Sequence, residues 1–199
     1  MRDSYAVLAA GLRRWAPIPD AELVKARAVF RPRSVGAGTV LQRAGEPSRD
    51  VSFLVRGLTR LFFPGAAERT KGFRAEGDLV CSYAAVLRDG PSQLCIEAVE
   101  PCELLTAGRP AFDRLCQGDP AWQAMLAAMT ARLFLDEEQR QRDLLTMDAT
   151  GRYQAFLEQR PGIAARLTQR QIAAYVGVSP EALSRIRHAL RVTGVSLPA

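Results

Sequence analysis

Glu181, Ser184, Arg185 and His188 recur at i, i+3, i+4 and i+7, so on a helix they share one polar face. These side-chain types suit the reading of base edges. Arg185 can donate two parallel hydrogen bonds to guanine O6 and N7, Glu181 can accept from a cytosine amino group, and Ser184 can serve either kind of edge. Thr168, Arg170, Arg187 and Arg191 flank that face as candidate phosphate contacts, and Ser179 stands at its helix start. His188, the only histidine, could touch phosphate or base, but an exposed histidine at a helix end is at least as good a reading.

The charge distribution supports an anionic partner for this segment. The chain carries a formal net charge of +6, and residues 151–199 hold seven arginines against two glutamates, leaving only +1 for the first 150 residues. Basic surface attracts phosphate where it is concentrated, whereas unorganised arginines are merely a solvated face. Here a motif organises them.

That motif is LTQRQIAAYVGVSPEALSRIRHALR. Thr168 and Gln171 have capping-box spacing for a helix beginning at Gln169. Ser179 can cap a second helix whose first position is Pro180, where the missing amide costs nothing. Gly177 can take the positive φ of the tight turn, and small Ala173 lets the helices cross closely. Leu167, Ile172, Val176, Val178, Leu183 and Ile186 supply a shared core. The pattern predicts a helix-turn-helix over residues 168–191.

The remaining segments must carry this reader. Residues 3–30 have helical patterning with a second start near Pro19 and Asp20. From Arg31 to about Leu105, short runs rich in Val, Phe, Leu and Thr are punctuated by glycines, which predicts a compact β-barrel or sandwich, with two strands meeting at Gly57. Asp119 and Pro120 open a long helix reaching about Leu145. In it Trp122, Leu126, Met129 and Leu133 recur at four, three and four, the spacing of a coiled-coil seam, and are expected to form a dimer interface; packing against the chain's own β region is the competing reading. A further short helix from about Gly151 ends at Pro161 and Gly162. The expected domains are 1–118, a β-roll sensor with N-terminal helices; 119–146, the dimerisation helix; and 147–199, the DNA-binding unit.

Other function classes fare poorly. No run of about 18 apolar residues and no convincing signal peptide occurs, so a cytoplasmic protein without membrane association is expected. Cys81, Cys95, Cys102 and Cys116 contain no CxxC pair and read as small hydrophobes, with redox sensing a minor alternative. There is no P-loop, GxGxxG or metal-ligand spacing, so neither an enzyme, a metal nor a cofactor is expected. A second reading is a ligand-sensing module that acts through protein contacts and keeps a degenerate helix-turn-helix. Steep salt dependence of DNA binding would separate the two.

Nearly the whole chain resembles the Crp/Fnr family of bacterial regulators. The likeness is carried by VGAGTVLQRAGEP, FLVRGLTRLFF, the EGDL turn at Glu76 to Leu79, IEAVEPCELL and SPEALSRIR. It implies an α+β fold: an N-terminal β-roll of the cyclic-nucleotide-binding jelly-roll type, a long dimerisation helix and a C-terminal winged helix-turn-helix. It also implies double-stranded DNA, a second copy of the chain and RNA polymerase as partners. Glu181, Ser184 and Arg185 match the E-x-x-S-R pattern of the Fnr-like branch, which implies TTGA-type palindromic half-sites. Pro180 replaces an arginine of some relatives, and the tail VTGVSLPA is short for a full wing.

The effector region departs further from the resemblance. Cys81 and Ser82 stand where cyclic-nucleotide-binding members have Gly-Glu, and Ser92 and Gln93 where they have Arg-Ser or Arg-Thr. Without the glutamate for the ribose or the arginine for the phosphate, cyclic AMP binding in the family's usual way is not expected. Either another small molecule meets Ser82, Tyr83, Ser92 or Gln93, or side chains fill the pocket. The effector is left unidentified.

Overall fold

Two short helices open the chain because each has a local start signal. The Asp3 side chain accepts from the Tyr5 amide to begin α1 (Ser4–Arg13), and Pro19 precedes α2 (Asp20–Val29). The computed structural model describes residues 3–66 and 68–192. The expected wing, assigned to the tail after Arg191, therefore lies outside the described residues except for Val192.

Eight strands follow, interrupted by one helix: β1 (Arg31–Val35), β2 (Val40–Gln42), β3 (Asp50–Arg56), β4 (Thr59–Phe63), β5 (Arg69–Arg74), β6 (Leu79–Val80), α3 (Tyr83–Arg88), β7 (Cys95–Ala98) and β8 (Cys102–Gly108). They form two antiparallel four-stranded sheets, ordered β1-β8-β3-β6 and β2-β7-β4-β5. This is the jelly-roll β-roll expected from the sequence. At the hinge between β3 and β4, Gly57 has φ +111, and a Cβ there would lie 2.6 Å from the Cys102 sulfur.

Apolar strands of the first sheet are buried on both faces. Leu54, Leu104 and Val80 point into the roll with Leu61 and Ile96 of the other sheet. Val51, Phe53, Leu105 and Ala107 point outward and are covered by Leu8, Leu12, Phe30, Phe112, Trp122 and Met125 from the helices. That two-sided cover explains why DVSFLVR and CELLTAG read as nearly continuous hydrophobic runs.

Helix α4 (Arg109–Gly118) precedes α5 (Pro120–Thr146), whose N-cap Asp119 accepts from the Ala121 amide. Then come α6 (Ala149–Gln159), α7 (Pro161–Ala164), α8 (Gln169–Val176) and α9 (Pro180–Val192). Three helices, α3, α4 and α7, escape the sequence reading. α3 lies inside the region read as strands, and α4 occupies the stretch between the strands and Asp119. Pro161 does end α6 as expected, yet it also opens α7, where its fixed φ suits a first helical position.

Candidate nucleic-acid interface

The helix-turn-helix is built by the local signals that predicted it. The Thr168 amide donates to Gln171 Oε1 at 2.9 Å, and the Gln171 amide donates to Thr168 Oγ1 at 3.3 Å, closing the capping box of α8. Gly177 ends α8 with φ +87, and the Ala182 amide donates to Ser179 Oγ at 3.2 Å at the start of α9. Ala173 is buried at the crossing, and Leu183 and Leu190 of α9 face the same core as Ile172 and Val176 of α8.

This packing leaves Glu181, Ser184, Arg185 and His188 exposed together on the outer face of α9. Thr168, Arg170, Ser179 and Arg191 are also exposed, and Arg187 is half-buried. A hydrogen bond with Ser179, the helix amide of Glu181 and the nearby Arg185 charge hold the Glu181 carboxyl below its ordinary range. It is therefore an ionised acceptor near neutrality. Among the described residues Arg170, Arg185, Arg187 and Arg191 make no ion pair, so their charge is available to an external anion.

The other three arginines of the C-terminal segment serve the junction with the rest of the chain. Arg166 donates to Glu76 Oε1 at 2.9 Å and to Glu100 Oε1 at 2.5 Å, tying the start of α8 to the β-roll. Arg152 donates to the carbonyls of Val176 at 2.9 Å and Met147 at 2.7 Å. Arg160 approaches Asp136 of α5 at 3.9 Å. From α5, Arg140 donates to the carbonyls of Thr70 at 3.0 Å and Tyr175 at 2.8 Å, and its guanidinium lies 4.0 Å from the centre of the Tyr175 ring.

The core beneath α8 and α9 is completed by the β-roll. Leu58 and Phe73 join Tyr153, Phe156, Val176 and Leu183 in one cluster, and the rings of Phe156 and Tyr175 lie 4.7 Å apart. Arg140, Arg152 and Arg166 have no recognisable motif, and sequence reasoning missed their role. Their partners are mostly backbone carbonyls or residues 66 to 90 positions away, which leave no local signal.

The four suggested effector residues do not form one wall. Ser82 and Ser92 are buried with their hydroxyl oxygens 2.9 Å apart, and Ser92 Oγ lies 2.7 Å from the Leu94 carbonyl. Since Ser92 has a single hydroxyl proton, it donates to Leu94 and accepts from Ser82. Neither serine lines the pocket of about 400 Å³ beside β1, β2 and β3, whose wall includes Arg33, Leu41, Ser52 and Cys81. Gln93 is exposed. Tyr83 donates to or accepts from Thr130 of α5 at 2.6 Å and lines a different, larger cleft of about 1110 Å³.

The predicted seam on α5 requires a correction. Trp122 is fully buried, with its indole N–H donating to Glu22 Oε2 at 2.9 Å, and Met129 is 7% exposed. Leu126 packs on the same core, and Leu133 is half-buried in the larger cleft. Trp122 and Leu126 thus serve the chain's own core, where α2 supplies the polar partner that the indole needs. The large apolar side chains left outside are Phe134, Leu135, Leu144 and Leu145, at 62%, 63%, 47% and 77% exposure. With exposed Ala124, Ala127 and Ala131 they follow a heptad-like course along the helix.

All four cysteines are free thiols. Burial pushes the thiols of Cys81 and Cys116 up to about 11 and about 12, which keeps them protonated near neutrality. Among the described residues no group of three or more His, Cys, Asp or Glu is placed to hold a metal ion, and no helix is long and apolar enough to cross a membrane.

Residues 32–119 match the cyclic nucleotide-binding domain family. Over 181 residues the chain is 29% identical to the cyclic AMP receptor protein of Thermus thermophilus, covering 87% of this chain and 83% of that protein. The crystal structure of the Thermus thermophilus catabolite activator protein superposes with a TM-score of 0.57 at 27% identity, covering 95% of this chain and 91% of the other. The c-di-GMP-responsive global regulator CLP of Xanthomonas campestris shares the fold, with a TM-score of 0.74 at 19% identity and coverage of 88% and 93%.

Proposed function

From its likeness to regulators of the Crp/Fnr type, we propose that the chain is a homodimeric, sequence-specific DNA-binding transcription regulator that works without the family's usual cyclic AMP contacts. The observation that carries this reading is the outer face of α9. Glu181, Ser184 and Arg185 are exposed there, and Arg170, Arg187 and Arg191 lie nearby without carboxylate partners among the described residues. Arg185 reads guanine, Glu181 accepts from cytosine, and Ser184 adapts, while Thr168, Arg170, Ser179, Arg187, His188 and Arg191 hold the backbone. Matched to the Fnr-like pattern, the preferred half-site is of the TTGA type.

Two protomers pair along the exposed course of α5 through Ala124, Ala131, Leu135 and Leu145. This places the two α9 helices in successive major grooves about 34 Å apart. RNA polymerase is the onward partner by family resemblance. Independence of cyclic AMP is supported by the neutral Ser82 and Ser92, whose hydroxyls already satisfy one another in the interior. A nucleotide phosphate buried there would have no counter-charge from either position.

Fluorescence anisotropy with a TTGA palindrome, the protein's own upstream DNA and a scrambled duplex tests the proposal, without added ligand. The expected result is binding whose logarithm falls by about 0.9 per phosphate contact for each tenfold rise in salt. Arg185→Ala should lose about 1–3 kcal/mol and relax the preference at its base pair. Binding to the palindrome no tighter than to scrambled DNA, or left intact in Arg185→Ala, would favour a sensor that acts through protein contacts.

A further inference from the structure

The last two carbonyls of α8 are each taken by an arginine from a different element. Arg140 of α5 donates to the Tyr175 carbonyl at 2.8 Å, and Arg152 of α6 donates through Nε to the Val176 carbonyl at 2.9 Å. Through Nη1 the same Arg152 donates to the carbonyl of Met147, the C-cap of α5, at 2.7 Å. A local reason leaves the Val176 oxygen open to a side chain: the residue four positions on is Pro180, which has no amide to give. Among the described residues no backbone amide donates to the Val176 or the Met147 oxygen. Terminal carbonyls carry the negative end of the helix dipole, so a guanidinium is their complementary group. Both arginines are half-buried, and neither has a carboxylate partner among the described residues.

Arg152 thus joins three points through one planar group: the end of the long helix, the first turn of α6 and the end of α8. Arg140 adds a direct tie from α5 to that same end of α8. Only Gly177, Val178 and Ser179 separate Val176 from the start of α9, and the Val178 amide donates back to the Ala173 carbonyl at 3.0 Å. Where the Val176 carbonyl is held therefore decides where α9 begins. In a dimer paired along α5, the long helix in turn fixes the two-fold axis. We propose that Arg140 and Arg152 are positioning residues that set the distance between the two α9 helices, and with it the half-site spacing that the dimer accepts.

Neither side chain needs to meet DNA for this. One base pair is about 3.4 Å of duplex axis, so a small rotation at the joint after Met147 is enough to move a reading helix out of step with its half-site. Two nitrogens of one rigid guanidinium held on two carbonyls oppose such a rotation, which a flexible ammonium on a single carbonyl does not. The inference rests on the homodimeric DNA-binding reading above and adds to it what selects the spacing.

The test uses fluorescence anisotropy of the full chain on TTGA palindromes whose central spacer is shortened or lengthened by one and by two base pairs. The parent should prefer one spacer over its neighbours by about tenfold or more, the scale of a misplaced base contact. In Arg152→Ala and in Arg140→Ala that preference should fall to about threefold or less. Arg152→Lys keeps the charge without the planar fork and should behave as Arg152→Ala. Partial unfolding cannot imitate this result, because a smaller competent fraction weakens binding to every spacer by the same factor. An arginine that instead held a phosphate would reduce the salt slope by about one and be largely restored by lysine. The positioning role is overturned if the spacer profiles of both alanine variants run parallel to the parent's, or if Arg152→Lys recovers the parent profile. A parent that binds no palindrome better than scrambled DNA would remove the DNA-binding reading itself, and the positioning role with it.

Discussion

Arg140 holds Tyr175 from two directions, donating to its carbonyl at 2.8 Å while covering its ring at 4.0 Å. The same guanidinium reaches the Thr70 carbonyl in β5, so one side chain of the long helix links the β-roll to the first helix of the helix-turn-helix. Arg140→Ala should destabilise this junction by about 1–3 kcal/mol, the scale of charged hydrogen bonds to backbone with a cation–π contact. Hydrogen exchange should accelerate across residues 169–176 more than in the sheet formed by β1, β8, β3 and β6. Uniform acceleration, or none, would remove Arg140 from this role.

Acid should weaken the same junction through Glu76. Burial disfavours its carboxylate, but hydrogen bonds from Arg166 and from the Gly57 amide outweigh that cost and hold the carboxyl below its ordinary value of 4.5. A depressed folded value means that the contribution is present above about pH 4.5 and is lost as pH falls through the lower folded value. Thermal unfolding scanned from pH 7 to pH 3 should therefore lose stability more steeply in the parent than in Glu76→Gln. Parallel curves for the two proteins would show that the Arg166 contact does not drive the acid response.

The two apolar faces of α5 should respond differently to substitution. Trp122→Ala opens a cavity in the protomer core and should cost about 3–5 kcal/mol. Leu135→Glu and Leu145→Glu alter exposed positions and should change protomer stability by only about 0.5 kcal/mol, while abolishing the proposed pairing along α5. Denaturant unfolding combined with sedimentation equilibrium separates these effects. A double-glutamate variant that stays dimeric would place the interface elsewhere.

Thiol chemistry at Cys81 should be slow in the folded chain. With burial holding the Cys81 thiol at about 11, only about one molecule in a thousand is ionised at pH 8. Alkylation of Cys81 should then run roughly two orders of magnitude slower than for a free thiol of pKa about 8.5. Mass spectrometry before and after unfolding measures this, and rapid labelling in the native protein would reopen a redox role.

The amino-acid sequence by itself determined the parts whose signals are local. Thr168 and Gln171 cap α8, Gly177 supplies the positive φ, Pro180 opens α9, and the three-to-four spacing of Leu183, Ile186 and Leu190 turns Arg185 and Ser184 outward; each lies within a few residues of what it controls. The strands around Gly57 and the long helix after Asp119 were legible for the same reason.

Tertiary structure decided what depends on distant partners. Trp122 and Leu135 are both apolar residues on one helix, and only the presence of Glu22 and the α2–α4 surface assigns Trp122 to the interior and leaves Leu135 outside. Ser82 and Ser92, ten positions apart, became mutual partners rather than shared walls of a pocket. Likewise Arg166 meets Glu76 and Glu100 across the fold, and Phe73 completes a core begun by Phe156 and Tyr175. Periodicity fixes which residues share a face, but the energy of burying that face depends on what the chain brings against it.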